Sequence, residues 1–189
     1  MKLKMHIPVV LGTARAGRQS EKVARYVASI LEDREDLTTE FVDVKDHVQQ
    51  AITTPPWGEG GANEKGSAWK DIVKNSNALI LVLPEYNHGY PGELKLLLDS
   101  LFGEYKGLPV ALAGVSTGVL GGARVLDHIK PVLIEMNLTP IRKSIMFPKI
   151  KEVFDENGAI KDENTTEYIH TVLAELVEMA DMLKESRPN

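Results

Sequence analysis

The chain has 189 residues, no cysteine and a formal charge of −5. That length suits one domain with a hydrophobic core of its own, and the lack of cysteine excludes disulfides, thiolate metal ligands and a cysteine nucleophile. The acidic balance opposes a nucleic-acid partner, and no run of residues approaches a membrane span. Residues 1–8 carry no secretory-leader pattern, so a cytoplasmic protein with neither nucleic-acid nor membrane partners is expected.

Hydrophobic patterning predicts alternating strands and helices along the chain. Strand one is expected over residues 6–11 and a helix over 18–34, then strand two over 39–44. Residues 46–66, with two prolines and Trp57, read as a surface excursion: a lid, a partner-facing loop or an insertion. A helix over 67–75, strand three over 78–83 and a helix over 92–102 follow. Strand four is expected over 109–115, a helix over 122–136, strand five within 139–147, a turn at Asp155 to Gly158, and a last helix over 165–184. Unbroken apolar runs such as Ala78 to Leu83 and Val110 to Val115 suit strands covered on both faces, so an α/β domain spanning residues 1–189 around a mostly parallel sheet is the fold expected. Ligands of such sheets sit at the carboxyl ends of the strands.

Three loops at those ends have ligand chemistry. After strand one, Gly12 to Ser20 reads GTARAGRQS. It lacks the Lys-Ser/Thr pair of a Walker loop, having Arg18 and Gln19 after Gly17, and Thr13 and Ala14 stand where a dinucleotide fingerprint needs a second glycine. A single terminal phosphate suits it better. Thr13 and Ser20 offer hydroxyl donors, Arg15 a charge-assisted contact, and the amides of residues 16–21 an anion nest. Arg18 either joins them or points to solvent. After strand three, Pro84, Glu85, Tyr86 and Asn87 begin a stiff aromatic loop, where backbone groups of residues 85–87 can meet the polar edge of a planar ring and Tyr86 or Pro84 can wall it. After strand four, Ser116, Thr117 and Gly118 offer hydrogen bonds and close backbone approach. His88 reads as a solvent-facing residue or a substrate contact beside the ring loop, His128 as a surface or subunit-contact residue, and no histidine–carboxylate spacing makes a metal site.

The three segments together resemble the NADPH-dependent FMN reductase family, flavodoxin-like azo-, quinone- and chromate-reducing flavoproteins. The matching residues are Gly12 to Ser20, Pro84 to Lys95 with Asp99, and Ser116 to Arg124, within a span from about Pro8 to about Ile145. The resemblance implies a three-layer sandwich with a five-stranded parallel sheet of order 2-1-3-4-5. It implies bound FMN with NADPH or NADH as reductant and a small-molecule electron acceptor. FMN phosphate contacts are implied for Thr13, Arg15 and Ser20, with Gln19 close by. Pro84, Glu85, Tyr86 and Asn87 are implied to line the isoalloxazine, with Ser116, Thr117 and Gly118 at the ring or ribityl chain. Thr13 stands where serine is commoner, and Gln19-Ser20 departs from the frequent serine-asparagine pattern. No side chain is assigned acid–base or nucleophilic work. A homodimer or tetramer is implied as well; Leu94, Leu97, Leu98 and Leu101 either serve that contact or pack on the sheet, and Trp57 and Tyr105 are candidates for the subunit boundary. A one-electron flavodoxin-like carrier and an FMN-dependent regulatory protein are the rival readings.

Overall fold

The computed structural model describes residues 4–48 and 64–186. Strand one is present in two pieces, β1 (Met5–His6) and β2 (Val9–Leu11). Pro8 between them has no N–H for a ladder, although its carbonyl still accepts from the Ile80 amide at 3.0 Å. The first helix, α1 (Ser20–Glu32), begins two residues later than its pattern suggested. Gly17 takes a left-handed φ of 70° just before it, and Arg18 is drawn aside by the contacts described below.

Strand two is likewise divided, into β3 (Leu37–Thr38) and β4 (Phe41–Asp43). A short α2 (Val44–His47) follows directly, capped by the Asp43 carboxylate, which accepts from the Lys45 amide at 3.1 Å. The next helix, α3 (Glu64–Asn75), starts earlier than expected. The excursion anticipated over 46–66 is therefore shorter at both flanks, and its remainder, residues 49–63 with Trp57, lies outside the described residues. Then come β5 (Leu79–Pro84), α4 (Gly92–Leu98), β6 (Pro109–Val115), α5 (Ala123–Glu135) and β7 (Thr139–Phe147). The chain closes with α6 (Ile150–Val153) and α7 (Glu163–Leu183). The turn expected at residues 155–158 is formed: Gly158 has φ 83°, and the Asp155 carboxylate accepts from the Asn157 and Ala159 amides at 2.9 Å.

Five strands form one parallel sheet in the order β4-β2-β5-β6-β7, while β1 and β3 make a separate two-stranded parallel ladder. Numbered over all strands the order is 4-2-5-6-7 and not 2-1-3-4-5, because the two short strands take numbers of their own. The five strands of the larger sheet still follow each other as the flavodoxin-like pattern requires.

Strand side chains alternate between two cores, which is why these runs are apolar at every position. Val9, Leu11, Ile80, Val82, Ala111 and Ala113 pack with α1 and α7 on one face. Val10, Leu79, Leu81, Leu83, Val110 and Leu112 pack with α3, α4 and α5 on the other. Each fully buried aliphatic side chain contributes about 1.5 to 3 kcal/mol relative to exposure. Leu94, Leu97, Leu98 and Leu101 are all spent in the second core, so they supply no association surface. Tyr105 is fully buried too, accepting from the Trp69 indole N–H at 2.8 Å and donating to the Leu98 carbonyl at 3.2 Å. The expectation of Tyr105 at a subunit boundary is thereby corrected. Among the described residues no helix is long and apolar enough to cross a membrane.

Candidate functional site

Parallel register brings the ends of β2, β5 and β6 to one rim. Leu11 pairs with Val82, and Pro84 with Val115, so the loops that follow are neighbours although about 70 and 30 residues separate their starts. The Gly12 amide continues the ladder to the Val82 carbonyl at 2.8 Å. A Cβ at Gly12 would come within 3.2 Å of that carbonyl and 3.1 Å of Leu94, so this close approach favours glycine.

The first loop docks on the second through Thr13, which is wholly buried. Its hydroxyl lies 3.0 Å from the Tyr86 hydroxyl and 3.1 Å from the Glu93 carboxylate, and it accepts from the Arg15 amide at 3.3 Å. The same Glu93 oxygen accepts from the Ala14 amide at 3.0 Å. The Arg15 guanidinium carbon lies over the Tyr86 ring, 3.6 Å from its centroid, as a cation–π contact. Burial disfavours ionisation of Glu93, but the Ala14 amide, the Thr13 hydroxyl and the nearby Arg15 charge outweigh it and hold the carboxyl below its usual range.

Arg18, left open by the sequence, is committed to structure. Its guanidinium donates to the Thr13 carbonyl at 2.5 Å and grips the Asp43 carboxylate with both terminal nitrogens. It also donates to Glu21 at 3.2 Å. Both side chains of the Arg18–Asp43 pair are only 7% exposed. Desolvation opposes charging of each partner, yet their mutual hydrogen bonds prevail, raising the Arg18 pKa and lowering that of Asp43. The pair clips the first loop to the end of β4.

Ser20, the first residue of α1, is 1% exposed, and its hydroxyl has no hydrogen-bond partner among the described residues. A buried orphan hydroxyl is costly unless something meets it, and it stands in the first helical turn, whose amides lack intrahelical acceptors. With Arg15 close in sequence, this corner can take an anion, and a phosphate fits its donors. Gln19 turns back on its own loop, its amide donating to the Gly17 carbonyl at 3.3 Å.

In the second loop, Tyr86 and Gly89 exchange backbone hydrogen bonds of 2.9 Å around Asn87 and His88, whose φ values of 50° and 67° make a tight left-handed turn. The Glu85 amide is used as well, donating to the Val115 carbonyl at 2.9 Å. Of the backbone groups of residues 85–87, the amides of 85 and 86 are already engaged: one continues the sheet and the other closes the turn. Tyr86 is half-buried with Arg15 over one face of its ring, and Pro84 is buried at the end of β5. The Arg124 guanidinium reaches across from α5 to the Glu85 carboxylate at 3.3 Å and the His88 imidazole at 2.9 Å. The second Glu85 oxygen is buried without a partner among the described residues.

The third loop is pinned to the far side of the rim. The Ser116 amide donates to Phe147, its hydroxyl donates to the Gly118 carbonyl at 3.2 Å, and the amides of Lys149 and Ile150 bond back to Gly118 and Ser116 at 3.0 Å. Thr117 is exposed beside them. Thr13, Arg15 and Tyr86 are thus in direct contact, Ser20 lies in the same loop, and Ser116 to Gly118 approach through the neighbouring strand end. The sequence reading assigned no role to Glu93 or Arg124. Glu93 meets the first loop across 79 and 80 positions, a tertiary contact invisible to local pattern. An acidic residue in the first turn of the helix after a ligand loop was the available signal.

The family model for NADPH-dependent FMN reductase matches residues 5–152. An NAD(P)H-dependent FMN reductase of Saccharomyces cerevisiae is 29% identical over 149 residues, covering 71% of this chain and 77% of that protein. A 2-hydroxy-1,4-benzoquinone reductase of a Burkholderia species is 28% identical over 183 residues, covering 90% and 93%. Among solved structures, a flavoenzyme NAD(P)H:(acceptor) oxidoreductase of Paracoccus denitrificans superposes with a TM-score of 0.79 at 23% identity, covering 95% of this chain and 98% of that one. The rim of three loops and the match over most of the sequence lead to the same assignment: the chain belongs to the NADPH-dependent FMN reductase family.

Proposed function

We propose that residues 1–189 form a single FMN-binding domain of a cytoplasmic NAD(P)H-dependent oxidoreductase, reducing quinones, azo compounds or similar small oxidised acceptors. The observation that carries the reading is the buried Ser20 hydroxyl at the start of α1, without a partner among the described residues, beside a loop that already touches Tyr86. Ser20, the first-turn amides of α1 and Arg15 bind the phosphate, with Gln19 at the mouth. Thr13 holds Tyr86 in place, and Tyr86 with Pro84 supports one side of the isoalloxazine. Arg124 steadies Glu85 beneath the ring loop, while Asn87, Ser116, Thr117 and Gly118 border the ring and ribityl chain.

Bound FMN would supply the redox chemistry, taking hydride from NAD(P)H and passing reducing equivalents to the acceptor. The protein's part is to position the ring, leave a face open and set the local charge. The reading includes a homodimer or tetramer, supported by Val119, Leu120 and Met146, which are large, apolar and exposed around the third loop and the end of β7. Stopped-flow mixing of the FMN-loaded protein with NADPH and with NADH tests the function. Bleaching of the flavin band, then recovery on adding a benzoquinone or an azo dye, is the expected result. A bound flavin that neither nucleotide reduces rules out the oxidoreductase.

A further inference from the structure

We propose that Glu93 is a built-in anion of the first loop, one that competes with the ligand's phosphate and so limits how tightly a phosphorylated flavin is held. The proposal rests on the FMN reading of that loop.

Thr13 has one hydroxyl hydrogen, and an ionised carboxylate can only accept. With Glu93 3.1 Å away, that hydrogen is directed to Glu93, so the Tyr86 hydroxyl becomes the donor to Thr13 at 3.0 Å. The chain runs Tyr86 to Thr13 to Glu93, and Thr13 has no hydrogen left for a phosphate. The Ala14 amide is used in the same way, by the same carboxylate oxygen at 3.0 Å. Two donors that a phosphate-binding loop would offer its ligand are thus taken by a residue of α4. The groups facing Glu93 are Thr13, Ala14 and Arg15 from the first loop, with Tyr86 behind Thr13. Arg15 is the cation among them, and it must serve both anions once a phosphate arrives at Ser20.

The carboxylate therefore satisfies the loop while the phosphate is away and opposes the phosphate when it enters, through like-charge repulsion and competition for Arg15. Riboflavin, with the same ring and no phosphate, is indifferent to this. Glutamine at position 93 keeps a carbonyl oxygen for Thr13 and Ala14 and removes only the charge.

The test is the affinity of wild-type protein, Glu93→Gln and Glu93→Ala for FMN and for riboflavin, by quenching of flavin fluorescence, with circular dichroism to verify folding. We expect both variants to bind FMN about tenfold more tightly than wild type, with riboflavin affinity unchanged. If FMN affinity is unchanged or falls in whichever variant folds, or if both flavins shift together, the built-in anion is overturned and Glu93 is a structural tie. If neither wild type nor Glu93→Gln holds FMN better than riboflavin, the phosphate site on which the proposal stands is removed instead.

Discussion

At the residue scale, two kinds of polar side chain share the first loop, and they respond to substitution in opposite ways. Ser20 has a buried hydroxyl without a partner among the described residues, so Ser20→Ala should leave the free protein as stable or slightly more stable while weakening FMN binding by about 1 kcal/mol. Arg15 rests on Tyr86 and offers a charged donor, so Arg15→Ala should cost about 1.5 to 3 kcal/mol of FMN affinity. Calorimetric titration and thermal unfolding of the same samples separate the two effects. Arg18 and Asp43 behave differently, because both are buried in a pair that the loop needs for its shape. Asp43 has a folded pKa below its unfolded value. Its contribution to stability is therefore complete above the unfolded pKa of about 3.9 and is lost as pH falls through the lower folded value. Asp43→Asn leaves the buried Arg18 with Glu21 as its remaining counter-charge and should cost about 2 to 3 kcal/mol at neutral pH, less than a wholly uncompensated buried charge. Urea unfolding should show the gap between wild type and variant narrowing towards pH 3; a constant gap would mean that the carboxylate's charge is not what stabilises the loop. Thr13, Arg15 and Ser20 stood out in the sequence because a hydroxyl-and-arginine loop after a buried strand is local information, but the engagement of the Thr13 hydroxyl by Tyr86 and Glu93 in place of a phosphate did not. The roles of Arg18, Glu93 and Arg124 were not legible either, since each depends on a partner brought near by the sheet.

At the element scale, the strands and helices followed from apolar runs and helical spacing, and their ends did not. Pro8 divides the first strand by withholding one amide, and Gly17 delays α1 by its left-handed turn. Neither interruption removes the hydrophobic pattern that identified the element. The leucines of α4 show the limit of periodicity: an apolar stripe fits a subunit contact or a sheet face equally well, and only the packing shows that the sheet takes it. The entry to α5 depends on backbone shape. Gly122, the residue before α5, has φ 87°, and a Cβ there would lie 2.8 Å from the Val115 nitrogen. Gly122→Ala should therefore destabilise the protein by about 1 to 3 kcal/mol. It should also displace Arg124 from Glu85, since that arginine is the second residue of the helix. A melting temperature equal to wild type would show that the turn relaxes without strain.

At the scale of the whole molecule, a five-stranded parallel sheet between two helical layers sets three separate loops along one rim. The alternation of strands and helices made this architecture legible, and the family resemblance supplied the strand order. Which loop atoms remain free was not legible, because main-chain amides at residues 85 and 86 are consumed by sheet and turn geometry that no pattern encodes. The account's central claim is that the rim holds one flavin mononucleotide by its phosphate at the start of α1. Equilibrium titration of the full chain with FMN and, separately, with riboflavin tests it most directly. The account predicts one FMN per chain, bound more tightly than riboflavin, with Ser20→Ala reducing that preference. Equal affinity for the two flavins, or no flavin bound by the folded protein, would contradict it.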